Sequence, residues 1–324
     1  MKFSRYIPKP LLDWAYLRRR DARLWREYRI DRRRFRQHAV PGERPIWRAL
    51  SERGIETMIT KDYHRIEKAL ALADPKRPFG LEVGQRLDDL LRKVTPDSKL
   101  VEYGRSARSA QLAWNSGGDV DEIVSLPAAS LPTRPHLNAQ VIEDFFKSRR
   151  SVRHFDNTRD IPLETLAAMT DLARQTPSVC NRQPWRLYFA TDPDSCRDLL
   201  SFQDGNRGFG SEIPVVALVT VDLRLFAGSN ERNQCWVDGG LFAMSLVWAA
   251  HALGVQSCML NMSAPNSRLS ALRSRFSIPE YEAPVVMIGF GYAAPDHRIA
   301  RSPRRESSEI VTFIDSKRRP TRSA

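Results

Sequence analysis

The stretch between residues 235 and 253 restricts the possible folds more than any other part of this sequence. It predicts a helix that is apolar on nearly all sides, because its apolar residues cannot share a single face. These residues are Trp236, Val237, Leu241, Phe242, Met244, Leu246, Val247, Ala249, Ala250 and Leu253. A helix of this kind must be buried around its whole circumference. In a domain of this size, we expect part of that burial to come from a second subunit.

The chain around this helix alternates between helical and strand-like runs. The clearest strand is a β-branched run at 214–221 that is followed by Asp222. Further strands are predicted at 186–191, 255–260 and 283–292, and further helices at 163–174, 194–202 and 267–275. Strands so far apart cannot form tight hairpins, so helices must cross between them. This order predicts an α+β domain.

The first 120 residues predict an all-helical region. Helical runs at 55–72, 81–94 and 98–115 follow a break between Pro41 and Pro45. After them, two consecutive glycines and a proline-rich stretch predict a linker. We therefore divide the chain into a basic amphipathic helix at 1–40, a helical extension at 41–120, a linker at 121–138 and a second domain at 139–318.

The positive charge of the chain is concentrated at its start. Residues 1–50 hold 15 Lys and Arg against 5 Asp and Glu, which accounts for +10 of the net +13. Within them, residues 11–37 predict a long helix with aromatic residues and leucines near a three–four repeat and arginines at most other positions. Its apolar stripe can pack on its own domain or on a partner chain, or the helix can lie on an anionic membrane surface. Binding to nucleic acid phosphates is a third interpretation, which the lack of a recognised nucleic-acid-binding module disfavours.

The sequence predicts a cytoplasmic protein. It has no run of about 18 apolar residues and no apolar signal segment at its start. Its four cysteines, at 180, 196, 235 and 258, lack the spacing of a zinc or redox motif, so we expect reduced thiols. His64 and Glu67 lie one helical turn apart without a second pair of ligands, so no metal site is predicted. The membrane interpretation of residues 11–37 adds peripheral association with the inner membrane face.

Two polar motifs bracket the helix predicted at 163–174. The first, at 149–153, places three arginines and a serine within five residues. Arginine presents a planar set of donors that fits phosphate oxygens in pairs, and serine adds one more donor. The second, at 177–185, is an amide-rich turn that ends in Gln183-Pro184-Trp185. Together they suit a cofactor with a phosphate tail and a flat polar ring.

These two motifs, with Asp238-Gly239-Gly240 and the late run Ser302-Pro303-Arg304-Arg305, resemble the FMN-dependent nitroreductase family in order and spacing. The resemblance covers about residues 141–315. It implies a nitroreductase-like fold with a central mixed sheet flanked by helices. It also implies a homodimer with FMN at the interface, which agrees with the helix that is apolar on all sides.

The resemblance implies that five residues bind the phosphate end of FMN. Arg149, Arg150, Ser151 and Arg153 correspond to phosphate and ribityl contacts. Arg304 corresponds to a late basic residue that returns to the phosphate. A phosphomonoester carries close to two negative charges at neutral pH. We therefore expect the two basic segments to converge on it.

Six further residues correspond to contacts of the flavin ring. Ser178, Asn181 and Gln183 correspond to the turn that lies by the flavin in the partner subunit. Asn206 corresponds to an asparagine on the pyrimidine side of the ring, and Leu260 and Asn261 correspond to the pair whose backbone approaches N5. Two positions depart from the family. Val179 replaces a frequent second serine, and Leu260-Asn261 replaces an acidic-glycine or glycine-rich pair.

The function implied by the resemblance is FMN-dependent NAD(P)H oxidoreduction. NAD(P)H would deliver hydride to flavin N5, and a nitro- or quinone-like acceptor would then take the electrons by ping-pong. The cofactor carries this chemistry, so no side chain is named as a catalytic acid or base. The chain lacks the Gly-x-Gly-x-x-Gly pattern of a separate dinucleotide-binding domain.

Two alternatives stay open at this point. One is a catalytically altered flavin-fold protein that acts as a membrane-associated partner in polysaccharide production. It rests on the basic helix at 11–37 and on the altered pair Leu260-Asn261. The long helical extension, whose run at 63–68 resembles nitroreductase-like proteins linked with bacterial exopolysaccharide production, adds the link to polysaccharides. The other is a flavin oxidase or dehydrogenase acting on a carbohydrate- or peptide-linked substrate, whose flavin site would look alike in sequence.

Overall fold

A computed structural model describes residues 9–42, 50–94, 98–133 and 135–314. Residues 1–8 of the basic segment, the predicted domain end at 318 and the end of the resemblance at residue 315 lie outside these ranges. The helices are α1 (Lys9–His38), α2 (Glu52–Leu70), α3 (Leu81–Leu91), α4 (Lys99–Asn115), α5 (Ala139–Ser148), α6 (Leu163–Ala173), α7 (Pro193–Leu200), α8 (Gln234–Ala252), α9 (Asn266–Arg275) and α10 (Ser307–Ile310). The strands are β1 (Trp185–Ala190), β2 (Val215–Asp222), β3 (Gln256–Asn261) and β4 (Glu282–Gly291).

These elements confirm the predicted α+β class and the predicted helical character of the N-terminal region. Several helices begin where a polar side chain accepts a hydrogen bond from a backbone N–H of the first turn, which fixes the start of the helix. Ser51, Ser98, Asn138 and Asp192 cap α2, α4, α5 and α7 in this way. Between α4 and α5, the predicted linker contains one short 3₁₀ turn at Ala128–Ser130.

The four strands form one sheet in the order β1-β2-β4-β3, and every paired neighbour runs antiparallel. This pairing corrects the prediction of a mixed sheet. β2 and β3 do point the same way, because α8 returns the chain to the end of the sheet where β2 began, but β4 separates them. Parallel contact to the sheet is limited, among the described residues, to an isolated bridge between Ser151 and Ser257.

Helices cover both faces of the sheet. Leu246 and Phe242 of α8 pack with α6 against one face, where the ring of Phe242 stacks on Trp185 at a centroid distance of 4.9 Å. α7 and α9 cover the other face and bury Leu199 and Leu272. Every residue of β2 is buried, as expected for a strand with helices on both sides.

One stripe of α8 does not pack within the chain. Trp236, Val237 and Leu241 are 46%, 50% and 45% exposed, while the opposite side of the helix is buried. The sequence required burial on all sides, and one subunit supplies it on only part of the circumference. The stripe therefore needs another covering surface.

The helical extension has its own apolar core and also contacts the second domain. Met58 and Ile59 of α2 are fully buried against α3 and α4. Val40 forms a parallel bridge with Ala227, in which Val40 N–H donates to Phe226 O (2.8 Å) and Gly228 N–H donates to Val40 O (2.8 Å). Val40, just after α1, thus joins the apolar core of the extension to the segment that follows β2. The division into four segments stays a prediction.

The first helix confirms the predicted helix at 11–37 and has two unlike halves. Its second half is anchored on the start of α9. Asn266 N–H and Nδ2 donate to Glu27 Oε2 (2.8 and 3.0 Å), and Arg34 donates to Asn266 Oδ1 (2.7 Å). Its first half is exposed, with Trp14 and Trp25 57% and 63% accessible. Among the described helices, none is both long and apolar enough to cross a membrane.

Candidate functional site

The arginine motif at 149–153 lies between α5 and the start of β3. Ser151 forms the bridge with Ser257, and Val152 N–H donates to Ser257 O (3.0 Å). This pairing fixes the backbone of the motif along the edge strand. Arg149 and Arg150 are half-buried, whereas Arg153 is exposed. The Arg153 charge is near enough to Cys258 to oppose the rise that burial produces in the pKa of its thiol.

The two basic segments converge. Partial burial lowers the pKa of Arg149, and repulsion from the charges of Arg304 and then of Arg150 lowers this pKa further. Within the described part of the chain, no ion pair joins these three arginines to a carboxylate. Arg305, which follows Arg304 in sequence, instead pairs with Glu309 at 2.8 Å. Among the described residues, the charges of Arg150 and Arg304 thus act on Arg149, and none of the three is paired with a carboxylate.

An aromatic cluster fixes the end of α5 beside these arginines. Phe145 stacks on Trp248 of α8 at a centroid distance of 5.3 Å, and the Arg149 guanidinium lies 5.8 Å from the centre of the Trp248 ring. His251 Nε2 donates to Phe145 O (3.0 Å) and lies 3.0 Å from Ser148 Oγ. Residue patterns gave no sign of this cluster, because its members are about 100 positions apart in sequence.

The amide-rich turn has a strained backbone. Cys180, Asn181 and Gln183 have φ values of 49°, 53° and 48°, in the left-handed region that residues other than glycine rarely adopt. Gln183 N–H donates to Ser178 Oγ (2.9 Å), and Gln183 Nε2 donates to Asn181 Oδ1 (3.2 Å). The structure therefore brings the three predicted turn residues together. Strain of this kind costs of order 1–3 kcal/mol per residue and persists only where the surroundings enforce it.

Two buried charges enforce the turn, and the sequence reasoning missed their roles. Arg182, whose side chain is fully buried, donates through Nε to Val179 O (3.1 Å) and pairs with Glu231 at 2.8 Å. Asp238 accepts from Val179 N–H (3.2 Å), and burial raises the pKa of this carboxyl group. The signals available in sequence were a charged residue inside an otherwise apolar helix and an arginine within the turn.

The predicted ring residues on the other side are joined through Gln203, which sequence reasoning also missed. Leu260 is buried near the end of β3, and Asn261 is exposed at its last position. Gln203 is buried and donates to Asn261 O (3.0 Å), while its Oε1 accepts from Asn206 Nδ2 (3.2 Å).

Asn206 has a structural role in the loop. Its amide also donates to the carbonyls of Leu200 (3.0 Å) and Gln203 (2.8 Å). It lines a cavity of about 690 Å³ together with Arg197 and Glu212, and this cavity contains none of the other predicted site residues. Its assignment as a flavin contact stays a prediction.

A second cavity, of about 440 Å³, opens beside the end of β3. Asn261 and Met262 form one side, and Trp236 of the exposed α8 stripe contributes another. The anchored half of α1 supplies Glu27 and Arg34 to its wall. The basic helix therefore reaches the neighbourhood of the predicted ring site.

The cysteines and the His64–Glu67 pair do not form a site of this kind. The four cysteines are unpaired, and His64 Nδ1 lies 2.9 Å from Glu67 Oε2 on the partly exposed face of α2. In the ranges that the structure describes, no three His, Cys, Asp or Glu side chains are grouped so that they could hold a metal ion.

The second half of the chain is similar to known proteins. The family model described as "Nitroreductase family" matches residues 146–204 and 192–292. The nitroreductase NfnB of Mycolicibacterium smegmatis is 27% identical over 238 residues, which cover 57% of this chain and 97% of the relative. Similar solved structures include a nitroreductase-like protein of Streptococcus mutans (19% identity, 55% of this chain, 100% of that chain, TM-score 0.47). An FMN-dependent nitroreductase of Clostridium difficile is another (20%, 53%, 99%, TM-score 0.44). The C-terminal half of the chain thus contains a nitroreductase-family domain, which a helical N-terminal region precedes.

Proposed function

We propose that this protein is an FMN-dependent oxidoreductase that uses NAD(P)H and reduces a nitro- or quinone-like acceptor. The observation that carries the proposal is the crowding of Arg149, Arg150 and Arg304 without a carboxylate partner among the described residues. Arg149 and Arg150 are half-buried and Arg304 is exposed beside them. Like charges held close together favour an anion between them. Each charge-assisted hydrogen bond to such an anion contributes about 1.5–3 kcal/mol.

The chain's own groups fit the phosphate end of FMN. Arg149 and Arg150 would donate to the phosphate oxygens, and Arg304 would approach from the C-terminal segment. Ser151 is held beside β3 by its bridge to Ser257 and would offer its hydroxyl nearby. Arg153 lies on the exposed side of the same segment. These donors come from two distant stretches of chain, so the site exists only in the folded protein.

The strained turn fits the ring end. Its amide groups at Asn181 and Gln183 are exposed, so they can exchange their mutual hydrogen bond for bonds to a polar ring. Arg182 and Asp238 hold the turn in place from beneath. When bound, FMN would supply the redox chemistry, taking hydride from NAD(P)H at N5 and passing electrons to the acceptor in ping-pong order. The residues present bind and orient it, and none is assigned a proton transfer.

A homodimer is part of the proposal. The exposed stripe of α8 is apolar, and Val141, Ile142 and Phe146 expose a second apolar surface on α5. Contiguous exposed apolar surface of this kind marks an interaction site. A second copy of the chain would cover it and would bring its own amide-rich turn towards the arginine cluster.

The test is to purify the full-length protein and identify its bound cofactor. We expect a yellow protein that releases FMN, and an absorption band that bleaches when NADH or NADPH is added anaerobically. Colour should return on addition of a quinone or a nitroaromatic compound. A protein that cannot be loaded with FMN would refute the proposal. A protein that holds FMN but is not reduced would support the alternative of a flavin-fold binding partner.

A further inference from the structure

We propose that the exposed first half of α1 lies on an anionic lipid surface. This half, residues 9–26, makes no burying contact with the rest of the chain, because none of its residues is buried. Exposed large apolar side chains are nevertheless frequent along it. Besides Trp14 and Trp25, they include Leu11, Leu12, Tyr16, Leu17 and Leu24. A surface this apolar requires an occupant.

Several of the apolar side chains of α1 form a stripe along one face of the helix, whereas Leu11, Leu12 and Tyr16 lie outside it. With 3.6 residues per turn, Trp14, Leu17, Leu24, Trp25 and Tyr28 fall within an arc of roughly 100°. Asp31 also anchors the helix, because its Oδ1 accepts from Asn266 Nδ2 (3.0 Å). The anchoring residues Glu27, Asp31 and Arg34 lie on average about 100° away from the middle of this arc. The helix is thus fixed to the protein by one face and presents the stripe on another.

The charges around the stripe complement an anionic surface. Residues 9–26 hold six Lys and Arg against two Asp, a net charge of +4. Arg18 lies over the Trp14 ring at 5.3 Å, and Arg29 lies over the Trp25 ring at 5.2 Å. This arrangement lets tryptophan enter the headgroup region while arginine reaches lipid phosphates. Asp21, which interrupts the stripe, is paired with Arg20 at 3.0 Å.

Two other occupants account for less of what is observed. Nucleic acid would use the arginines but would leave the leucines and tryptophans in water. A second copy of this chain would cover the apolar stripe. It would offer little charge complementarity, because residues 51–324 carry 36 Lys and Arg against 33 Asp and Glu. A membrane surface with anionic headgroups uses both features of the helix.

The experiment measures binding of the full-length protein to lipid vesicles. We expect co-sedimentation with phosphatidylcholine vesicles that contain phosphatidylglycerol, weak binding to phosphatidylcholine alone, and a decrease with added salt. The double variant Trp14→Ser and Trp25→Ser should bind at least about tenfold more weakly. A matched control is Ile123→Ser with Leu126→Ser, which removes two exposed apolar residues elsewhere and should bind like the unchanged protein. Circular dichroism checks that each variant is folded.

A second measurement reports the contact directly. Brominated lipids should quench tryptophan fluorescence in the unchanged protein, and the double variant should lose this quenching. Absence of binding to anionic vesicles would overturn the proposal, as would equal binding by the double variant. A changed oligomeric state in the double variant would identify a second copy as the occupant, and duplex DNA binding that competes with vesicles would identify nucleic acid. None of these measurements depends on FMN, so their failure is separate from failure of the proposed function.

Discussion

Arg149 and Arg304 illustrate how single residues create an anion site. Each is a common surface residue by itself, and only their proximity near the end of α5 lets them bind one anion together. Removing one positive charge deletes its hydrogen bonds to an anion and also relieves the repulsion it exerts on its neighbours. The cost to cofactor binding should therefore be large, while the cost to folding should be small.

We expect Arg149→Gln and Arg304→Gln each to weaken FMN binding by about 10- to 100-fold, the equivalent of one or two charge-assisted hydrogen bonds. Titration of the apoprotein with FMN, followed by flavin fluorescence, measures this. Arg174→Gln provides the control, since Arg174 is an exposed arginine paired with Asp171. Unchanged affinity in both site variants would show that the arginines do not hold the phosphate.

His38, at the end of α1, should make stability depend on pH. Burial lowers the pKa of His38 below its ordinary value of 6.5, the charges of Arg34 and Arg224 act in the same direction, and Glu280 and Asp222 oppose them. The unfolded chain therefore binds a proton at His38 before the folded chain does. The contribution of neutral His38 to the free energy of unfolding should be fully present above about pH 6.5 and should be lost as the pH drops below that value.

Urea unfolding at about pH 7.5 and pH 5.5 tests this dependence. The loss of unfolding free energy on acidification should be smaller in His38→Gln than in the unchanged protein. His136→Gln, at an exposed position, should behave like the unchanged protein. An identical pH dependence in all three proteins would contradict the assignment to His38.

At the scale of elements, the position of α8 on the sheet depends on one glycine. A Cβ atom at Gly239 would lie 2.7 Å from Val285 Cγ2 and 3.0 Å from Val221 Cγ1, so the helix could not keep its distance from β2 and β4. At the neighbouring Gly240, a Cβ atom would meet no atom of this chain within 4 Å. Alanine at position 239 therefore tests packing against the sheet, whereas alanine at position 240 tests helix propensity alone.

We expect Gly239→Ala to lower the free energy of unfolding by about 1–3 kcal/mol through overpacking. Gly240→Ala should leave it unchanged or raise it by up to about 1 kcal/mol, because alanine is the better helix former. Urea denaturation of both variants at the same protein concentration measures the difference. Equal stability of the two variants would show that α8 can shift on the sheet at little cost.

Most individual elements could be predicted from the sequence, because their signals are local. The periodicity of α2 and the β-branched run of β2 each place an element within a few residues of its observed bounds. Strand pairing was less accessible, because it depends on where connecting helices return the chain. A family pattern of a mixed sheet could not reveal that β4 separates β2 from β3.

The residues of the candidate site could be predicted from the sequence, but their conformation and contacts could not. The arginine and amide motifs stand out as short runs, and the resemblance assigns them to the two ends of one cofactor. The left-handed conformation at Cys180 had no local signal, since the turn is held by Glu231 and Asp238, which come from other segments and bind Arg182 and Val179 of the turn. Asn206 shows the opposite limit, because its amide is engaged by backbone carbonyls that no pattern indicates.

At the scale of the whole molecule, the exposed α8 stripe should determine the oligomeric state. Leu241→Arg places a charge in the middle of the proposed subunit interface, where it would lose its hydration without gaining a partner. We expect a dimer for the unchanged protein and a monomer for this variant, as measured by sedimentation equilibrium. Leu163→Arg, at a more exposed leucine on α6, should remain dimeric. A dimeric Leu241→Arg variant would place the interface elsewhere.

The contacts between the helical extension and the second domain limit how far the chain can be shortened. The amide-rich turn rests on α2, and Glu231 beneath it also faces Lys61 of that helix at 4.0 Å. Removing residues 1–138 would remove the contacts of α2 with the turn and the bridge between Val40 and Ala227. A minimal version that keeps only the part matching the family should therefore be less stable than the full-length protein, and its amide-rich turn should be less firmly held.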